Sequence, residues 1–133
     1  MDDCIFCKII KGEIPCYKVY EDEDTLAFLD IRPLNPGHTL VIPKKHFRWV
    51  WDIENIGKHY EVVKKIANTL KKVYNTDRVV SLVVGDEVEH AHTWLVPRFE
   101  GDGHGDTINS KNIKKISEDE MKKIAEKIQR EFN

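Results

Sequence analysis

The chain has 133 residues, with 21 Lys+Arg against 23 Asp+Glu and a formal net charge of −2. That length suits one domain over residues 1–133 with one real core, and the balanced charge excludes a dedicated nucleic-acid or membrane-surface binder. No long apolar run is present and Met1-Asp2-Asp3 opens acidic, so neither a membrane span nor a signal peptide is expected, and a cytoplasmic location follows.

The first informative element is Cys4-Ile5-Phe6-Cys7. A redox pair of this spacing normally sits between a strand and a helix, and no strand precedes it here. Half of a zinc site fits better, with two further ligands supplied from elsewhere. The third cysteine, Cys16, reads as a small buried hydrophobe. An odd number of cysteines argues against a disulfide framework.

Residues 17–21 alternate as a strand, Asp22-Glu23-Asp24 turn, and residues 25–30 return as the second strand of a hairpin. Pro33, Asn35, Pro36 and Gly37 make a loop. Residues 38–43 form an apolar third strand. From residue 53 to residue 74 the period becomes 3.6, with Ile53, Ile56, Tyr60, Val63, Ala67, Leu70 and Val73 as the stripe and Asp52 as N-cap. On that pattern His59 falls near the polar boundary, at the surface. Residues 78–84 read as a buried fourth strand and Gly85-Asp86-Glu87 as a tight turn. Residues 90–97, His-Ala-His-Thr-Trp-Leu-Val-Pro, read as the fifth strand. A Gly-Asp-Gly-His-Gly loop follows at 101–105. Without a Lys-Ser/Thr or a helix behind it, it reads as a flexible exit loop rather than a phosphate cradle. Ser117-Glu118-Asp119-Glu120 is a capping box for a last helix with Met121, Ile124, Ala125, Ile128 and Phe132 inward. The sum is an α+β domain: a five-stranded antiparallel sheet, one long helix and a C-terminal helix, with helices on one face.

The chemistry gathers on the fifth strand. Alternation puts His90, His92 and Trp94 on one face. An imidazole can bind a metal, switch charge near neutral pH or attack an electrophile. Two histidines at i and i+2 suggest a division of labour, one anchoring and one attacking phosphorus; the plain alternative is a hydrogen-bonded core strand. Cys4 and Cys7 could be completed by one of His38 and His46 and one of His90 and His92, giving a closed, structural zinc site.

Five ordered blocks together resemble the histidine-triad (HIT) family of nucleotide hydrolases and transferases. They are Cys4-Ile5-Phe6-Cys7-Lys8-Ile9-Ile10, Gly12-Glu13-Ile14-Pro15, Leu26-Ala27-Phe28-Leu29-Asp30-Ile31-Arg32-Pro33, Pro36-Gly37-His38-Thr39-Leu40-Val41-Ile42-Pro43-Lys44-Lys45-His46, and His90-Ala91-His92 with Leu95-Val96-Pro97. The resemblance implies a HIT-like fold and a homodimer, for which Trp49 and Trp51 offer apolar surface if they are not core. It implies His92 as the nucleophile that takes a nucleotidyl group, with His90 holding its tautomer and His38 supporting the network. Asp30 would grip the ribose hydroxyls, and Phe28, Leu29, Ile31 and Ile9 would line the nucleobase slot. Cys4, Cys7, His46 and His90 would hold zinc. The implied activity is cleavage at the α-phosphate of a purine nucleotide conjugate through a covalent nucleotidyl-histidine. The alternative is a nucleotide-binding regulatory module with weak or no catalysis.

Two departures stand out. Trp94 occupies the position of the motif's third histidine, and an indole donates one hydrogen bond but shuttles no proton. The segment 81–89 is short and lacks an identifiable Asn, Gln and Ser around the phosphate. Both place the leaving-group step in question, and a good leaving group would suffer less than an amine.

Overall fold

The computed structural model describes residues 3–132. Five strands, β1 (Lys18–Glu21), β2 (Thr25–Leu29), β3 (Thr39–Pro43), β4 (Val79–Leu82) and β5 (Thr93–Pro97), form one antiparallel sheet in the order β1-β2-β3-β5-β4. Helix α2 (Ile56–Tyr74) crosses between β3 and β4, and α3 (Glu118–Phe132) ends the described chain. The expected α+β architecture is therefore present.

Alternation along the strands builds two cores. Val19, Ala27, Leu29, Val41 and Leu95 face α2 and α3, meeting Val62, Val63, Ile66 and Leu70 of the first and Met121, Ala125 and Ile128 of the second. Leu26, Phe28, Leu40 and Ile42 point the other way. That second face is covered by a helix the periodicity reading did not include, α1 (Ile5–Ile10), whose Phe6 is buried among them. Helices thus lie on both faces. The signal was available: Phe6, Ile9 and Ile10 are spaced i, i+3, i+4. Fully burying one such side chain contributes about 1.5–3 kcal/mol, enough to hold a six-residue helix that has little stability alone.

Boundaries shifted where local capping beat the hydrophobic stripe. The long helix starts at Ile56, because Asn55 accepts the Lys58 N–H at 3.3 Å. Asp52 instead accepts the Trp49 N–H at 3.1 Å and closes a separate 3-10 turn, Val50–Asp52. The buried face of α2 runs through His59, Val62, Val63, Ile66, Thr69 and Leu70, so His59 is buried rather than superficial. Its Nε2 lies 2.9 Å from Thr93 Oγ1. Strand β4 is half-buried, shorter than expected. The ladder of β5 begins at Thr93; His90 and His92 precede it, held where the Ala91 N–H donates to the Phe47 carbonyl at 2.7 Å. The Ser117 hydroxyl accepts the Glu120 N–H at 3.1 Å and opens α3 as expected.

Gly37 fixes how the loop before β3 approaches α2. Its φ is +88°, and a Cβ there would come within 2.5 Å of Tyr74 Cε2. Only glycine allows this closeness, which delivers the chain to His38 at the edge of the site.

Candidate active site and metal centre

Cys4 caps α1, its Sγ accepting the Cys7 N–H at 3.3 Å, and the turn of helix brings both sulfurs to one side. There they meet His46, just past β3, and His90. The four ligand atoms of Cys4, Cys7, His46 and His90 lie within 4.8 Å of one another. Cys4 Sγ is 3.3 Å from His90 Nδ1, Cys7 Sγ is 3.3 Å from His46 Nδ1, and the two Nδ1 atoms are 3.2 Å apart. Tetrahedral zinc, with Zn–N near ~2.0 Å and Zn–S near ~2.3 Å, sets ligand–ligand edges of about 3.3–3.7 Å. The set fits.

The protonation pattern agrees. His90 Nε2 donates to the Pro43 carbonyl at 2.8 Å, which leaves Nδ1 as a bare lone pair aimed at the sulfurs. Burial pushes the His90 imidazole down to about 4, so it stays neutral. Burial, then Cys4, pushes the Cys7 thiol up to about 11; thiolates here need a cation between them. Of the open pairings, the geometry gathers His46 and His90, and leaves His38 and His92 out of the cluster.

Those two histidines lie elsewhere on the same sheet face. His92 Nδ1–H donates to the His90 carbonyl at 2.6 Å, so Nε2 carries the free lone pair. Burial, and secondarily the Arg48 guanidinium, lower its basicity and keep the ring neutral. The edge of His92 stands against Phe6 at 5.2 Å, and Phe6 in turn meets Phe28 at 5.5 Å. His38 is 1% exposed; its Nδ1 accepts the Leu34 N–H at 3.1 Å, and its Nε2 lies 3.6 Å from Asp30 Oδ2. Asp30 Oδ1 accepts the Arg32 N–H at 2.8 Å, and burial raises its carboxyl above the usual range. The His38 ring lies 5.0 Å from that of Trp94.

His92, Trp94, His38, Asp30 and Phe28 are thus brought together, and Ile9 packs on the same cluster. Leu29 is not: one residue from Phe28, it points to the opposite core and is 1% exposed. Ile31 is 76% exposed, out on the surface beyond Asp30. Arg48 was missed by the sequence reading. Its guanidinium stacks 3.7 Å from the Trp49 ring and donates to the Gly85 carbonyl at 2.9 Å, clamping the turn ahead of the histidines.

The Gly-rich loop is neither a flexible exit nor a phosphate cradle, because a buried ion pair occupies it. Arg98 Nε donates to Asp102 Oδ2 at 2.7 Å, and both side chains are buried. Arg98 holds the Asp102 carboxyl well below the usual carboxylate range. Arg98 also donates to the Gly105 and Thr107 carbonyls. Asn35 Nδ2 donates to Asp102 at 3.0 Å, and His104 Nε2 to the Leu34 carbonyl at 2.7 Å. The loop therefore buttresses the segment that orients His38. Replacing Arg98 with methionine is expected to cost about 3–5 kcal/mol by leaving Asp102 buried and unpaired, measured by urea denaturation. A loss under about 1 kcal/mol would mean that the pair supports nothing.

Solved structures define the class. A zinc-bound histidine triad family protein from Mycobacterium smegmatis superposes with a TM-score of 0.79 at 28% identity, covering 98% of this chain and 93% of that one. The architecture is that of HIT-fold proteins.

The family model described as the HIT domain matches residues 11–101, and the chain belongs to the HIT family. An uncharacterized HIT-like protein of Methanocaldococcus jannaschii is 45% identical over 126 residues, 90% of this chain and 96% of that protein. The adenosine 5'-monophosphoramidase of Schizosaccharomyces pombe is 39% identical over 98 residues, 71% of this chain and 74% of that protein. No helix among the described residues is long and apolar enough to cross a membrane.

Proposed function

We propose that this protein is a nucleotide hydrolase or nucleotidyl transferase that cleaves at the α-phosphate of a purine nucleotide conjugate through a nucleotidyl-His92 intermediate. The observation that carries the reading is the His92 tautomer: Nδ1–H is tied to the His90 carbonyl, so Nε2 is an unprotonated nucleophile on the face that holds Asp30. The adenosine 5'-monophosphoramidase relative supports the purine assignment.

His92 Nε2 attacks the α-phosphorus. The N–P bond forms, the bond to the leaving group breaks, and its electron pair departs with that group. The ring becomes cationic, and the His90 carbonyl stabilises it through Nδ1–H. Water then attacks phosphorus, the N–P pair returns to Nε2, and one water proton passes to solvent. Transfer to another acceptor uses the same second step.

In this reading Asp30 binds the ribose hydroxyls, as a carboxylate with two acceptor oxygens can. Phe28, Ile9 and Ile31 flank the base, and His38 lines the site beside Asp30 and supports the network around His92. Zinc at Cys4, Cys7, His46 and His90 is structural, since four protein ligands leave no open position. The chain works as a homodimer, to which exposed Trp49 and Trp51 offer apolar surface.

The experiment is trapping. Incubation with an adenylyl conjugate labelled at the α-phosphate, followed by a rapid alkaline quench, is expected to leave acid-labile label on His92. Tight nucleotide binding with no label at any time point would support instead the binding module, which Trp94 in the third motif position favours.

A further inference from the structure

Two buried hydrogen-bond donors on this face have no partner among the described residues: Trp94 Nε1 and His38 Nε2. For His38 the donor assignment follows from geometry. A backbone N–H, that of Leu34, points at Nδ1, so Nδ1 is the acceptor and the ring proton sits on Nε2. Asp30 Oδ2 is 3.6 Å from it, outside hydrogen-bond reach. Trp94 Nε1 is a donor by constitution. Its backbone is fixed mid-sheet, paired with Leu40 on one side and Leu82 on the other. The two rings pack at 5.0 Å and 55°. Buried donors without acceptors are uncommon and costly, and a site that keeps two side by side suits an oxygen-rich ligand.

Neither donor can give its proton away. An indole N–H is not an acid in water. The His38 ring is neutral, held down to about 3 by burial, so the proton it carries is its last. Asp30, the carboxyl beside them, is committed in the proposed chemistry to the ribose hydroxyls, with Oδ1 also accepting the Arg32 N–H. Resting on the proposed His92 chemistry, we propose that Trp94 Nε1–H and His38 Nε2–H supply fixed hydrogen bonds, and no proton, to the departing oxygen of the substrate. The site therefore selects conjugates whose leaving group departs as an oxyanion, such as phosphate, carboxylate or sulfate, over those that expel an amine. As the P–O bond breaks, its electron pair stays on oxygen, which accepts the two hydrogen bonds and leaves unprotonated. An amide nitrogen would have to take up a proton that these residues do not release.

The test compares adenosine 5'-aryl phosphates of graded leaving-group acidity with adenosine 5'-phosphoramidate on the full chain. Wild type is expected to favour the most acidic phenol over the amidate by about 10²-fold or more, the usual weight of a missing general acid. Trp94→His is expected to raise the amidate rate selectively and flatten the dependence on leaving-group acidity. Trp94→Phe, which keeps a ring but no donor, is expected to lower the aryl phosphate rates by roughly tenfold. An amidate rate equal to the best ester, or a Trp94→Phe protein equal to wild type, overturns the proposal.

A second measurement needs no turnover. The indole N–H resonance of Trp94, assigned by its loss in Trp94→Phe, is expected to move downfield when inorganic phosphate is added with adenosine. If nucleoside binding shifts other resonances and this one stays still, the donor assignment is wrong. If nothing binds, the proposed function itself fails.

Discussion

Replacing His92 with alanine is expected to lower kcat/KM by about 10⁴-fold or more, because in the proposed mechanism His92 is the nucleophile and no other described histidine is free to replace it. The other histidines are committed. His90 has Nε2 on the Pro43 carbonyl and Nδ1 in the metal cluster, and His38 has Nδ1 on a backbone N–H. His59 and His104 are buried elsewhere, bonded to Thr93 and Leu34. Nucleotide affinity should change little, since Asp30 and Phe28 keep their contacts. A small stability loss, about 1–2 kcal/mol, is expected from the space beside Phe6. His92→Asn separates chemistry from packing: its amide can still donate to the His90 carbonyl, yet it offers no nucleophilic nitrogen. Both variants should be inactive and unlabelled. Turnover near wild type in either would remove the covalent step altogether.

The sheet was legible because its strands carry strong local signals. Alternation in Thr25-Leu26-Ala27-Phe28-Leu29 assigns Phe28 and Leu29 to opposite faces, which is how the structure has them. The resemblance nevertheless named both as slot residues, since a contiguous block says nothing of facing. From spacing the candidate metal ligands were legible only as a choice between pairs, and the resemblance named the four that the structure gathers. Spacing supplies a donor type, but which histidine reaches the sulfurs depends on how α1 docks, a long-range contact invisible to local pattern. Arg48 was hidden for the same reason: its role comes from the Gly85 carbonyl, far along the chain. The Gly-rich loop misled because glycine and aspartate signal turns, while the buried partner that orders the loop, Arg98, looks in sequence like any surface cation.

Removing the metal is expected to unfold the site side of the sheet before the helix side. Two of the candidate ligands, Cys4 and Cys7, lie at the start of α1, which is otherwise anchored by the Phe6 cluster, and two lie on segments flanking the sheet. A structural zinc contributes up to about 10–16 kcal/mol in isolated fingers; here α1 also buries Phe6, so about 3–5 kcal/mol is expected, a fall in Tm of roughly 10–20 °C. The effect should reach the chemistry as well, because His90 is shared. Its ring belongs to the cluster that could hold a metal, while its carbonyl accepts the His92 Nδ1–H at 2.6 Å. Loss of the metal frees the His90 ring, loosens that carbonyl and lowers kcat more than it changes nucleotide binding. Cys7→Ser should reproduce both effects without a chelator. The measurements are elemental analysis for one zinc per chain, thermal unfolding with and without a strong chelator, and single-turnover rates on the metal-stripped protein. A chain that purifies without metal, and whose Tm and turnover ignore the chelator, would leave the four donors as a hydrogen-bonded cluster only.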